Sequence, residues 1–266
     1  MKILYVQPIF LPNVDMLEKN IESIKSFSKV LNSTDIHIDI ELGGWSMTDE
    51  HWNYFVSKVN SLGFKNLNIT RFNKNYGKAY VVNKLTNDVK GYDYVLTADS
   101  DIIFKNIDSF IERILAVVDK SEHFTDKPFG VMGINQEVAN CHLMDYLSEN
   151  KRDFLGYDNN DESIRWHNSP SGIAGGCLFT SSKNWIDTGG YREMGVYAGD
   201  DALFLLDTGN IGNSYFLCES ISVIHPPENN QEYQQWKVKV CQRDSHGGST
   251  GIDDIKINEA EGFWKQ

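Results

Sequence analysis

The chain has little of what marks a secreted, membrane-spanning or nucleic-acid-coating protein. Its four cysteines, Cys141, Cys177, Cys218 and Cys241, are spread over 266 residues and form no CxxC pair. That arithmetic speaks against a disulfide scaffold or a zinc site and predicts reduced, structurally indifferent thiols. No apolar run approaches the roughly 20 residues a spanning helix needs. Met1-Lys2 passes at once into Ile3-Leu4-Tyr5-Val6, and Pro8 interrupts the run, so no secretion signal is expected. Positive charge is in deficit, with 25 Lys and Arg against 37 Asp and Glu and a formal net charge of -12. Such a surface repels phosphate backbones at long range and disfavours nucleic acid as a general partner. Repeats, linkers and low-complexity segments are also missing. A soluble, cytoplasmic protein with no membrane span is the expectation.

What remains is ordinary globular composition, 41% hydrophobic and 12% aromatic, which predicts a packed core. One stretch departs from the acidic background. Lys65, Arg71, Lys74, Lys78, Lys84 and Lys90 fall together with Asp88 alone opposing them, so a local anion site fits on an acidic protein.

The first hundred residues alternate strand and helix patterns. Ile3 to Gln7 reads as a strand stopped at Pro8. Val14, Leu17, Ile21, Ile24 and Leu31 follow at helical spacing behind Asn13 as N-cap. Ile36, Ile38 and Ile40 alternate as a strand should. Thr48 precedes a helix marked by Trp52, Phe55, Val56 and Val59 and ended by Gly63. Leu67, Ile69 and Phe72 give a third strand, Gly77 to Asn87 a third helix, and Tyr92 to Ala98 a fourth strand. This rhythm predicts an α/β fold with a mostly parallel, twisted sheet flanked by helices. Ligands of such sheets sit beyond the carboxyl ends of the strands, so the loops after Gln7, Ile40, Phe72 and Ala98 should converge. Further on, Asp108 is expected to cap a helix through Ile111, Ile114, Leu115 and Val118. Phe129 to Ile134 reads as a strand and residues 135–170 as an excursion over the active face. Gly172 to Phe179 reads as a strand of small residues, Ser182 and Asp200 open two helices, and Tyr215 to Ile224 is a last strand. The whole is read as one domain over 1–266, with a nucleotide-binding half at 1–104, an acceptor or catalytic half at 105–225, and a tail or lid at 226–266.

The strongest chemical signal is Tyr94-Val95-Leu96-Thr97-Ala98-Asp99-Ser100-Asp101. An apolar strand delivers two carboxylates, one residue apart, at its carboxyl end. Mg²⁺ and Mn²⁺ favour oxygen ligands and commonly share a few carboxylates with substrate phosphates. A departing nucleoside diphosphate builds negative charge that such an ion stabilises. A polar turn after a strand is the plain alternative.

Three segments in order resemble the GT-A fold glycosyltransferases, closest to the family 2 type, over most of the chain. Asn75-Tyr76-Gly77-Lys78-Ala79 resembles the family's N-x-G-K-A segment, Asp99-Ser100-Asp101 its D-x-D. Gly189-Gly190-Tyr191 followed by Gly199-Asp200-Asp201-Ala202-Leu203 resembles the stretch that holds the catalytic base. The resemblance implies a transfer of sugar from a nucleoside-diphosphate donor, UDP by default, to an acceptor hydroxyl. It implies an inverting reaction with Asp201 as base beside Asp200. Donor binding would fall to Pro8, Asp39, Glu41, Asn75, Gly77, Lys78, Asp99, Ser100, Gly175 and Gly176. Mn²⁺ or Mg²⁺ would be held by Asp99, Asp101 and His225, the histidine before Pro226-Pro227 resembling the late metal ligand of many members. Plainer readings stand beside these: Gly77 a turn with Lys78 solvated, Asp200 and Asp201 a helix cap, His225 a loop residue. Trp185, Tyr191 and Tyr197 are either acceptor-side aromatics or core, and 232–243 a lid.

The resemblance is incomplete. After the second strand the family usually has a D-x-S-type turn, where this chain has Asp39-Ile40-Glu41-Leu42-Gly43-Gly44. The Q-x-x-R-W segment of processive polymerases is also missing, which favours single addition. Other readings are a retaining transferase, a transferase acting on hydroxymethylated DNA bases, and a sugar-nucleotide pyrophosphorylase. Pro8-Ile9-Phe10-Leu11-Pro12 lacks the Gly-rich, Arg-containing loop of the last. A binding module without catalysis is the non-enzymatic alternative.

Overall fold

The computed structural model describes residues 1–105, 108–122, 125–137, 153–156, 163–166, 173–193 and 200–226. The helices are α1 (Val14–Asn32), α2 (Asp49–Asn60), α3 (Lys78–Leu85), α4 (Phe110–Glu122), α5 (Ser182–Thr188) and α6 (Asp200–Asn210). The strands are β1 (Lys2–Leu11), β2 (His37–Ser46), β3 (Leu67–Arg71), β4 (Tyr94–Ala98), β5 (Ile103–Phe104), β6 (Phe129–Glu137), β7 (Asp153–Gly156), β8 (Ser163–Trp166), β9 (Cys177–Ser181) and β10 (Ser214–Ile224).

β1 is apolar on both faces because helices cover both, the pattern expected of a buried parallel strand. Ile3 and Tyr5 pack with Leu17, Ile24 and Phe27 of α1 and with Phe55 of α2. Leu4 and Val6 pack on the opposite face with Val81 and Val82 of α3 and with Trp185 and Phe204 of α5 and α6. The helix starts follow from local chemistry. Asn13 Oδ1 accepts from the Met16 amide at 2.9 Å, and Thr48 Oγ1 accepts from the His51 amide at 3.1 Å, so each satisfies a backbone donor that the first turn leaves open.

The described strands form one ten-stranded sheet in the order β3-β2-β1-β4-β9-β6-β10-β8-β7, with β5 beside β10. The strands β1, β2, β3 and β4 pair in parallel. β9 is antiparallel to both β4 and β6, so β6 and its parallel partner β10 run the same way as β1. The sheet is therefore mostly parallel, as expected, with β9, β8 and β5 reversed.

Several boundaries differ from the sequence reading. Pro8 does not stop β1, which continues to Leu11 in register with Ser46 of β2. Pairing with β4 ends at Val6 and Thr97, so Pro8 lies where β1 is flanked by β2 alone and its missing N–H is tolerated. β2 likewise continues past Ile40. Gly44 makes that possible, because a Cβ there would lie 1.7 Å from the Ile9 carbonyl oxygen. β6 runs to Glu137 rather than stopping at Ile134. The middle strands β4 and β9 are thus shorter at the carboxyl edge than β1, β2, β6 and β10. Gly175 and Gly176 form a turn ahead of β9 rather than part of the strand, and α4 begins at Phe110 behind Ser109, whose φ is 57°, rather than at Asp108. The 135–170 excursion contributes β7 and β8 to the sheet; its other residues beyond 137, and the tail from 227, lie outside the described residues.

Candidate active site

β4 is buried along Val95, Leu96, Thr97 and Ala98, and its end fixes the acidic turn. The Asp99 amide donates to the Gly176 carbonyl at 2.7 Å and the Ile102 amide to the Asp99 carbonyl at 3.2 Å. Asp99, Ser100 and Asp101 are therefore presented on a one-turn reversal braced against β9. Asp101 Oδ1 lies 3.5 Å from His225 Nε2. The histidine comes from the end of β10, and its own amide donates to Glu137 on β6. Residues 124 positions apart in the sequence are thus brought side by side.

The donor-side segment converges on the same place. Asn75 Oδ1 accepts from the Gly77 amide at 3.1 Å. Gly77 adopts φ 84°, a conformation that favours glycine. This kink starts α3 with Lys78 pointing at the acidic turn. Its Nζ lies 2.6 Å from Asp99 Oδ1 and 3.5 Å from the Gly175 carbonyl, above the Tyr191 ring. Burial works against the Lys78 charge, but Asp99 first, then Asp200, Tyr191 and Asp201, hold its pKa well above the ordinary value. Lys78 is a fixed cation and not a solvated side chain.

Asp200 and Asp201 open α6 and face the same cluster. Asp200 is buried, and its Oδ2 has no hydrogen-bond partner among the described residues. Its pKa is pushed up to about 7, by burial foremost, with Asp201 and Asp99 adding to the rise and Lys78 opposing it. Asp201 is half-exposed; its Oδ1 accepts from the Ala202 amide at 2.8 Å. Its other oxygen packs so closely on Gly175 that a Cβ there would lie 1.8 Å away. Gly176 is tight against the Gln136 amide in the same way. The two glycines therefore let the β9 turn pass between Asp99 and Asp201.

Other expected residues do not join the cluster. Asp39 and Glu41 lie inside β2, because that strand does not end at Ile40. Asp39 accepts from the Tyr92 hydroxyl at 2.9 Å and pairs with His37 and Lys2; Glu41 accepts from Asn68 at 2.8 Å. Their register with Leu4 and Val6 sets them below the carboxyl edge, so neither stands in for the turn after the second strand. Pro8 is a strand residue opposite Gly43. Trp185 and Tyr191 are core: Trp185 Nε1 donates to Thr86 Oγ1 at 3.0 Å, and the Tyr191 hydroxyl meets Thr97 Oγ1 at 3.2 Å. Tyr197, Gly199 and the 232–243 lid lie outside the described residues, as do Cys141 and Cys241. Cys177 and Cys218 are buried, and burial pushes the Cys177 pKa up.

The sequence reading missed a set of polar side chains that hold the cluster. Asn83 of α3 accepts from the Tyr191 amide at 2.9 Å and donates to its carbonyl at 2.8 Å, joining the donor-side helix to the Gly189-Gly190-Tyr191 turn. Gln136 donates to Ala174 at 3.1 Å. Gln7 of β1 donates to the Asp99 carbonyl at 3.1 Å. Each is a polar residue within an apolar strand or helix stripe, and that misfit was the available signal.

The residue types suit a hard divalent cation. A carboxylate and an imidazole side by side are a donor pair for Mn²⁺ or Mg²⁺. Among the described residues no three His, Cys, Asp or Glu side chains are grouped to hold a metal. Asp101 and His225 are the described pair whose donor types could hold such an ion, while Asp99 is engaged by Lys78. Among the described residues no helix is long and apolar enough to cross a membrane.

No protein-family model and no curated protein sequence matches the chain. Solved structures do. Residues 1–349 of S. aureus TarS in complex with UDP align over 100% of this chain and 71% of that one, at 14% identity and a TM-score of 0.56. The mannosyltransferase PcManGT from Pyrobaculum calidifontis, in complex with GDP-Man and Mn²⁺, aligns over 98% and 69%, at 12% identity and a TM-score of 0.56. GalNAc-T7 with UDP, GalNAc and Mn²⁺ aligns over 91% and 49%, at 10% identity and the same TM-score of 0.56. The fold is that of the GT-A nucleotide-sugar glycosyltransferases.

Proposed function

We propose that this chain is a metal-dependent glycosyltransferase that moves a sugar from a nucleoside-diphosphate donor, with UDP as the default nucleotide, to an acceptor hydroxyl with inversion. The observation that carries the reading is the convergence of Lys78, Asp99, Asp200 and Asp201 around the Gly175-Gly176 turn at the carboxyl end of β4. Three separate segments meet there with one cation and several carboxylates. The solved structures of like fold, two with Mn²⁺ and all three with a nucleotide or nucleotide sugar, agree with it.

In this reading the donor diphosphate lies beside Asp101 and His225, which would hold Mn²⁺ or Mg²⁺. The ion, when bound, would neutralise charge on the leaving diphosphate. Lys78, released from Asp99 by the donor, offers its ammonium to the phosphates at the start of α3, where backbone amides also favour anions. Asp99 is left to meet the ribose or a metal-bound water. The acceptor oxygen attacks the anomeric carbon as the bond to the diphosphate oxygen breaks. Asp201, the more accessible of the acidic pair, takes the acceptor proton. Asp200 stays buried beside it, between Lys78 and Asp201, as a carboxyl whose pKa is pushed up to about 7. The two halves of the chain, 1–104 and 105–225, would then serve donor and acceptor respectively within one sheet.

The test is thermal stability with UDP, GDP, CDP and TDP, with and without Mn²⁺. A ligand at a hundred times its dissociation constant stabilises the folded state by about 2.7 kcal/mol. One nucleotide should raise Tm in a Mn²⁺-dependent way, and Asp101→Ala should abolish that shift. A folded protein that shifts with none of the four sinks the reading.

A further inference from the structure

Gln7 and Ser23 sit where the chain otherwise places carbon, one inside β1 and one on the buried stripe of α1, both 0% exposed. Their hydrogen bonds form a single directed chain. The Tyr5 hydroxyl donates to Gln7 Oε1 at 2.9 Å, and burial holds the Tyr5 proton in place by raising its pKa. Gln7 Nε2 then donates twice, to Ser23 Oγ at 2.7 Å and to the Asp99 carbonyl at 3.1 Å. Ser23 Oγ, having accepted, donates to the Ile102 carbonyl at 2.5 Å. One turn along α1, Ser26 Oγ donates to the Ser23 carbonyl at 2.6 Å and accepts from the Phe104 amide at 3.0 Å.

The three backbone groups so anchored, at Asp99, Ile102 and Phe104, bracket Asp101. A covering layer of Leu or Val would satisfy the core equally well in area but would take the Ser23 and Ser26 hydroxyls from the Ile102 carbonyl and the Phe104 amide, and the Gln7 amide from the Asp99 carbonyl, which also accepts from the Ile102 amide. Buried backbone groups that lose their partners are costly, so the turn would relax toward other conformations. We infer that Gln7 and Ser23, backed by Ser26, are positioning residues that fix the acidic turn so that the Asp101 carboxylate stands beside His225. The inference rests on the reading of Asp101 and His225 as metal ligands. Neither Gln7 nor Ser23 touches the ion or the donor in this arrangement; they act through the backbone of the turn. Removing a group that orients a metal ligand characteristically weakens metal binding about 10- to 100-fold.

The variants are Gln7→Met, which keeps the volume and removes the amide, and Ser23→Ala. Asn184→Ala is the control. Asn184 is also 0% exposed and bonded to Thr180, Thr208 and Asn213 at about 3 Å, on the opposite face of the sheet. Mn²⁺ affinity is read by electron paramagnetic resonance of the free ion, titrated with the nucleoside diphosphate that the thermal screen selects, alongside Tm. Gln7→Met and Ser23→Ala should each weaken Mn²⁺ by about 10-fold. Asn184→Ala should lower Tm and leave Mn²⁺ affinity unchanged. Folded Gln7→Met and Ser23→Ala proteins with wild-type Mn²⁺ affinity, or an equal loss in Asn184→Ala, overturn the inference alone. A wild type that binds no Mn²⁺ with any nucleotide overturns the inference together with the reading beneath it.

Discussion

The two halves of the sheet are built differently. From β3 to β4 the strands run parallel in unbroken register, with β1 and β2 paired from Lys2 and His37 to Leu11 and Ser46. From β9 onward the directions are mixed, with β6 and β10 parallel between the reversed strands β9 and β8, and the β6–β10 pairing shifts between Cys218 and Ser222. The acidic turn and Lys78 belong to the first half, Asp200, Asp201 and His225 to the second. The reversed strand β9 joins them, because its leading turn gives the Gly176 carbonyl to Asp99 and lies against Asp201. The comparison teaches that the first half is a foundation whose defects should appear as lost stability. The second half places chemistry against it, and its defects should appear as lost rate.

Gly44→Ala tests the foundation and should have the largest effect. The added methyl would overlap backbone atoms of Ile9, which cannot rotate away, so destabilisation should reach about 3 kcal/mol or more. Chemical denaturation reads it directly, and an unchanged midpoint would break the comparison. Gly175→Ala should do the reverse. Displacing the Asp201 carboxylate by an ångström or so should lower kcat by about 100-fold with a much smaller change in Tm. A variant that unfolds instead would show the β9 turn to be foundation too.

Asp200→Asn tests a dependence on pH and not a fixed loss. The Asp200 pKa is raised from 3.8 to about 7 in the fold. Between those values the folded chain holds a proton that the unfolded chain has released, so this group's contribution to stability falls as pH rises. The isosteric variant lacks that dependence. Its Tm should gain on wild type from about pH 4 to about pH 7 and hold the gain above that. A difference that is flat across the window would place the origin of the raised pKa elsewhere.

The foundation was the legible half. Its strand and helix periods, its Asn13 and Thr48 caps and its Asp99 turn all follow from local patterns, and the structure has each of them. Strand ends were misjudged where long-range pairing overrode a local signal, as at Pro8 and past Ile40. That error carried Asp39 and Glu41 into the expected donor site, although both lie mid-strand. The second half was harder because antiparallel strands inserted between parallel ones leave no repeating interval. Its candidate residues Asp200, Asp201 and His225 were singled out only through resemblance to a motif. Gln7, Ser23 and Asn83 escaped because nothing in local spacing says which backbone atoms a buried amide or hydroxyl will meet.

The short middle strands have a geometric consequence. With β4 ending at Ala98 and β9 beginning at Cys177, while β1 runs on to Leu11 and β6 to Glu137, the carboxyl edge of the sheet has a notch two strands wide. Three strand spacings separate its walls, about 14 Å. The walls are paired backbone and cannot fold aside. The Asp99–Asp101 turn and the Gly175-Gly176 turn lie in that gap, so the carboxylates and the two close-packed glycines stand between rigid strand walls and not on a free loop.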